Sequence, residues 1–190
     1  MWETDKEKSM NCFLYFAYGS NLLTGRLADR CPSARYNATA CIDDLAIEFS
    51  KKSTEDGSGK ATIMPSHGHR LFGVVYKVEL SELETLNRVE SGYDLKHDFK
   101  VFLPDTDTSL TVKTYIAPGW SRKPGLKPFD WYLSLIVAGA IEHGFPQAEI
   151  SACQNIEFQA DKEGENKSNT LRLLRQAGFE SIGNYVAKSA

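Results

Sequence analysis

Cysteine is sparse in this chain, and its four occurrences, Cys12, Cys31, Cys41 and Cys153, never form a C-x-x-C pair. That scatter argues against a disulfide framework and a zinc knuckle, and it fits reduced thiols in the cytoplasm. Long apolar runs are also missing. The opening MWETDKEKSM is charged, and the run that follows it is short and broken by polar residues, so neither a signal peptide nor a membrane span is expected. Neither sign of charge dominates: 22 Lys and Arg face 25 Asp and Glu, for a formal net charge of −3. Without a basic cluster, nucleic acid and anionic membrane surfaces are poor partners and a small molecule is the better default. The G-x-S-x-G elbow of many serine hydrolases is absent. His67-Gly68-His69 invites a metal reading, but its Gly and the nearby Pro65 read as turn punctuation. No carboxylate or Cys completes a ligand set at usual spacing, so no metal is expected.

What is present fits one domain. At 190 residues and 42% hydrophobic content, the chain can bury a core without staples. A flexible N-terminus is expected over residues 1–11, a folded domain over 12–160, and a linker with a C-terminal helix packed on that domain over 161–190. A buried strand runs from Cys12 to Tyr18 and ends on Gly19. Leu22, Leu23 and Leu27 then recur at helical spacing, with Ser20 or Asn21 able to cap the first turn. Strands follow at Ala38–Phe49, Lys60–Met64 and Arg70–Val78, the first two separated by the polar loop Lys51–Gly59. A helix from Ser81 to about Val89 carries a capping-box pattern, Ser81 with Glu84. A hairpin is expected over Phe99–Leu103 and Thr108–Ile116, an apolar helix from Asp130 to His143, and a short amphipathic helix at Thr170–Ala177 after a polar linker. Strands and helices do not alternate regularly, so the fold class is α+β with a mixed or antiparallel sheet, open or closed, rather than a doubly wound fold.

Two features can carry chemistry. The first is Gly19-Ser20-Asn21, where a strand hands its backbone to a helix start. Glycine allows close approach of a ligand, and the Ser and Asn side chains add donors and acceptors that suit a carboxylate or amide. The same residues also serve an ordinary capped helix. The second is Glu90, seven residues after Leu83 and four after Leu86, on the face those leucines would bury. A carboxyl group in an apolar pocket gains the proton affinity that a general base near neutral pH requires; a frayed helix end would instead turn it to solvent. Tyr132 and Tyr93 could present phenols to a ligand or simply pack.

Tyr15-Phe16-Ala17-Tyr18-Gly19-Ser20-Asn21-Leu22-Leu23-Thr24, with Arg30-Cys31-Pro32-Ser33-Ala34 after it, resembles the γ-glutamylcyclotransferase family. Later blocks match in order: Ala61-Thr62-Ile63, Phe72-Gly73-Val74-Val75-Tyr76, Leu86-Asn87-Arg88-Val89-Glu90, and Tyr132 through Gly139-Ala140 to Gly144-Phe145-Pro146. The resemblance covers roughly residues 12–160. It implies a small mixed-sheet β-barrel flanked by helices, no cofactor, and a γ-glutamyl small molecule as substrate, handled by a monomer or homodimer. Carried over by motif, Tyr18, Gly19, Ser20 and Asn21 bind the γ-glutamyl group, Glu90 is the acid/base, and Tyr132 and Tyr93 are ligand-side tyrosines. Tyr93 follows the glutamate at a shorter spacing than in the animal enzymes, and Asn87 stands where the family often has Asp.

Overall fold

The computed structural model describes residues 11–161 and 165–180. Its backbone is dominated by one long hairpin, β2 (Arg35–Lys52) with β3 (Gly59–Glu79). The run Phe72-Gly73-Val74-Val75-Tyr76 supplies the β-branched and aromatic residues that suit a half-buried pleated surface, and Val74, Val75 and Tyr76 are fully buried. β1 (Cys12–Ala17) lies antiparallel to β3 and parallel to β5 (Thr108–Ile116), with Tyr15 opposite Lys113. β4 (Asp94–Leu103) pairs with β5 as a hairpin and touches β2 at Cys41 and Phe102. The order β1-β3-β2-β4-β5 closes into a barrel. The fold is therefore α+β, a five-stranded mixed sheet closed into a ring and flanked by helices. Closure removes the exposed edges that an open sheet of these strands would present.

Several expected boundaries shift. Lys60–Met64 and Arg70–Val78 form one strand, because the register passes from Asp43–Arg70 directly to Leu45–Pro65. The intervening residues 66–69 bulge outward, with Gly68 at φ 76°, Asp44 at φ 60°, and the Gly68 N–H donating to Asp44 Oδ1 at 2.8 Å. A bulge accommodates extra residues in one strand without breaking the ladder beyond it. His67 and His69 lie exposed in this bulge. Among the described residues, no group of three or more His, Cys, Asp or Glu side chains is placed to hold a metal ion.

The helices also depart in detail. Ser20–Leu22 forms a 3-10 turn, and α1 begins only at Thr24 and runs to Ala28; neither start carries a side-chain cap. The Ser81 capping box is likewise missing: Ser81 sits inside a 3-10 turn, Leu80–Glu82, which leads into α2 (Leu83–Val89). The Glu82 carboxylate instead accepts from the Ser33 backbone N–H and hydroxyl. α3 (Asp130–Glu142) is buried from Trp131 through Ala140, and α4 (Gln147–Gln154), not expected from the sequence, follows it. α5 spans Glu165–Gln176, starting ahead of the expected Thr170, and buries Thr170, Leu173 and Leu174. It packs on α3 and α1. The flexible N-terminus expected over residues 1–11 lies, apart from Asn11, outside the described residues. No helix among the described residues is long and apolar enough to cross a membrane.

Candidate active site

β1 ends at Ala17, and the chain turns through Ser20–Leu22, which packs against α3, before entering α1. Gly19 closes the 3-10 turn by accepting from the Leu22 N–H at 2.9 Å. A Cβ on Gly19 would lie 3.3 Å from both the Ala61 methyl and the Tyr132 hydroxyl, so a side chain there would crowd the neighbouring wall. Behind the turn, the Tyr76 hydroxyl donates to Leu22 O at 2.7 Å and meets His143 Nε2 at 2.9 Å. The far end of the turn is thus fixed from the core side.

Glu90 arrives from the opposite direction. α2 stops one residue short of it, yet the Glu90 N–H still donates to Leu86 O at 3.0 Å. That keeps Glu90 on the face of fully buried Leu86, as the four-residue spacing predicts. Gly92, at φ 83°, lets the chain leave the helix in the left-handed conformation that glycine tolerates. The surroundings of Glu90 are not the apolar pocket expected. Its Oε1 accepts from Asn21 Nδ2 at 2.8 Å and from Arg30 Nη1 at 3.3 Å, and the Glu90 and Arg30 side chains are 15% and 20% exposed. Both bonds fall on Oε1, which leaves Oε2 as the oxygen available to a ligand.

The sequence-predicted residues meet in a narrow cavity of about 30 Å³. Tyr18, Gly19, Ser20, Asn21, Glu90, Tyr93 and Tyr132 all line it, with Tyr15, Ala61 and Tyr115. Their hydrogen bonds divide the labour. Asn21 uses both amide donors on protein, one to Glu90 and one to the Tyr15 hydroxyl at 3.0 Å, and accepts from Arg30 at 2.8 Å. Its side chain therefore positions the carboxylate. Tyr18 donates to the Tyr115 carbonyl. Tyr132 accepts from the Ala61 N–H at 3.2 Å, while Tyr93 donates to Ala61 O at 2.8 Å, so the two phenols clasp one residue of β3.

Burial pushes the pKa values of Tyr15, Tyr18, Tyr93, Tyr115 and Tyr132 above the ordinary phenol value, and the negative charge of Glu90 adds to the rise. These hydroxyls stay protonated near neutral pH and serve as hydrogen-bonding groups. Among the described residues lining the cavity, Glu90 is then the side chain equipped to take a proton. Arg30, for which the sequence suggests no role of its own, joins the site through its ion pair. No periodicity marks it; its signal is a cation nine residues beyond Asn21, on the turn that follows α1.

The AIG2-like family pattern matches residues 70–152. A human protein named gamma-glutamylcyclotransferase is 36% identical over 141 residues, covering 70% of this chain and 73% of its own length. The mouse protein of the same name is 35% identical over 142 residues, covering 71% and 73%. A solved structure of a gamma-glutamyl cyclotransferase superposes with a TM-score of 0.76 at 31% identity, covering 87% of this chain and 99% of that one.

Proposed function

The chain belongs to the AIG2-like, γ-glutamylcyclotransferase family, and on that premise we propose that it cyclises γ-glutamyl amino acids or dipeptides to 5-oxoproline. One observation carries the reading: Glu90 and the Gly19–Asn21 turn, 69 residues apart at Asn21, line one cavity and are joined by a 2.8 Å hydrogen bond. The substrate's α-amine attacks its own γ-carbonyl carbon. At neutral pH this amine is an ammonium ion, so a base within hydrogen-bond reach must first remove a proton. Glu90 Oε2 takes that proton. The new C–N bond forms and the carbonyl becomes a tetrahedral oxyanion. Glu90 passes its proton to the leaving nitrogen and takes a second one from the now cationic ring nitrogen; collapse breaks the bond to the leaving group, and the departing amine takes up that second proton as ammonium. Electrons and protons balance within substrate and carboxyl group, and no cofactor is required.

The turn holds the γ-glutamyl α-carboxylate through the backbone around Gly19 and Ser20, while Tyr132 and Tyr93 wall the chain into a curl. Bringing amine and carbonyl together in this way can recover about 7–11 kcal/mol of the barrier. Arg30 and Asn21 fix the carboxylate so that this gain is not lost to side-chain motion.

The direct test is to incubate the protein with γ-glutamyl dipeptides, with glutathione as a control, and assay 5-oxoproline. Formation of 5-oxoproline together with the free amine is expected; binding without turnover of every compound rules the enzyme reading out. Tyr132→Phe should raise KM about 10-fold with kcat changed less than about 3-fold, as for a group that binds without moving protons. It should also cost about 1–3 kcal/mol of stability, because the Ala61 N–H loses its acceptor in a buried position. Thermal unfolding alongside steady-state kinetics separates the two effects.

A further inference from the structure

The small cavity opens past Ser20, Glu90, Tyr93 and Tyr132 into a wider cleft of about 430 Å³. Five cations line the cleft, Arg26, Arg30, Lys51, Lys60 and Arg88, against the carboxylates Glu55 and Glu90. Two of the cations are already matched. Arg30 pairs with Glu90, and Lys60 pairs with Asp56 at 2.8 Å and lies over the Trp131 ring. Arg88 and Glu55 are exposed at the rim.

Lys51 and Arg26 remain. Lys51 is only 8% exposed, yet its ammonium has no ion pair or hydrogen bond with a described residue; it stands 5.1 Å from the centroid of the Tyr93 ring. Its main chain is held between Lys60 of β3 and Arg122, so the side chain leaves a fixed point. Arg26, from α1, makes no direct ion pair with a described residue, although the charges of Glu90 and Asp29 reach it, and its Nε is buried without an acceptor. Burial, then the neighbouring Arg30, lowers the Arg26 pKa to about 10, which keeps it charged at neutral pH. Burial lowers that of Lys51 as well, with the negative charges of Glu90, Glu55 and Asp56 opposing. A buried ammonium and a half-buried guanidinium, neither in a direct ion pair, are costly to hold and gain from an anion that enters the cleft they line.

We propose that Lys51 and Arg26 form a subsite for the carboxylate of the leaving amine, selecting γ-glutamyl amides of amino acids over amides of uncharged amines. The inference rests on the cyclotransferase reading, because it seats the γ-glutamyl half of the substrate where the inner cavity meets the cleft, at Ser20, Glu90, Tyr93 and Tyr132. The leaving group then projects past Glu90 into the cleft, where its carboxylate meets the two unmatched cations. An ammonium and a guanidinium each make charge-assisted bonds to carboxylate that are stronger than neutral ones. The Tyr93 ring fixes one side of Lys51 and leaves its donors free for such a contact.

The experiment compares kcat/KM for γ-glutamyl-alanine and γ-glutamyl-alaninamide, which differ only in the leaving carboxylate. The unaltered enzyme should favour the carboxylate roughly 10- to 100-fold, the scale of one charge-assisted hydrogen bond. In Lys51→Gln and in Arg26→Gln that ratio should fall to within about 3-fold of unity, mainly through KM, and Lys51→Arg should restore most of it. Product inhibition of the unaltered enzyme by alanine, and not by alaninamide, tests the same subsite without a variant. A ratio near unity in the unaltered enzyme, or a full ratio kept by both Gln variants, overturns the subsite while leaving cyclisation intact. Absence of 5-oxoproline from both substrates removes the cyclotransferase reading, and the subsite with it.

Discussion

Glu90→Gln should fold, bind γ-glutamyl compounds and turn them over at least about 100-fold more slowly, the low end of the range for acid–base catalysis. The substitution keeps volume and shape. A glutamine oxygen in place of Oε1 still accepts from Asn21 and Arg30, so the local geometry survives. What disappears is the capacity to take the ammonium proton. No neighbour replaces it, since the five tyrosines around the cavity have pKa values raised by burial and remain protonated. Loss of the charge also leaves Arg30 without its acid, but both side chains are partly solvated, and a penalty of about 1 kcal/mol is expected. Titrating a γ-glutamyl analogue that cannot cyclise by calorimetry, beside a kcat measurement, distinguishes lost chemistry from lost binding. Near-normal turnover in this variant would move the base elsewhere and remove Glu90 from the mechanism.

The two halves of the site were legible in the sequence to different depths. Helical spacing correctly put Glu90 on the face of Leu86 because that inference needs only one buried neighbour on one short helix. The partners of Glu90 were not legible. Arg30 and Asn21 reach it across a fold whose closure depends on β1 lying beside β5, a parallel contact that no local pattern announces. For the same reason the apolar pocket expected around the carboxylate became a hydrogen-bonded ion pair. The caps failed for a related cause: Ser20 and Asn21 have cap chemistry, but Asn21 spends its amide on Tyr15, Glu90 and Arg30. At Ser81 the tertiary contact between Glu82 and Ser33 accompanies a 3-10 entry that displaces the local box. Pro65 and Gly68 mark a real irregularity, but it is a bulge and not a strand break, and the ladder resumes beyond it. Lys51 carried no signal at all, since only the depth of its burial without a direct ion pair makes it unusual.

Gly139→Ala should lower both stability and activity although Gly139 touches no part of the cavity. It lies within α3, where alanine is intrinsically better than glycine by about 1 kcal/mol. Against this, a methyl on Gly139 would stand 2.5 Å from Leu22 Cβ and 2.6 Å from Leu22 C and Leu23 N. Carbon contacts are favourable near 3.5–4.0 Å. Two of the opposing atoms are backbone, so no rotamer change relieves the clash, and α3 must separate from the Ser20–Leu22 turn it packs against. Overpacking of this kind costs about 1–3 kcal/mol and can outweigh the helix gain. With the steric cost near the top of that range, the net loss is about 2 kcal/mol, a fall in Tm of roughly 4–8 °C at this chain length. The turn that moves is the one carrying Ser20 and Asn21, so the carboxylate loses its alignment as well. A shift of about 1 Å can reduce kcat/KM by about 100-fold. Gly25→Ala supplies the contrast, because its new methyl would meet Leu173 at an ordinary 3.6 Å. It should keep or slightly raise Tm. Equal behaviour of the two variants would show that the close approach of α3 to the turn does not hold the site in place.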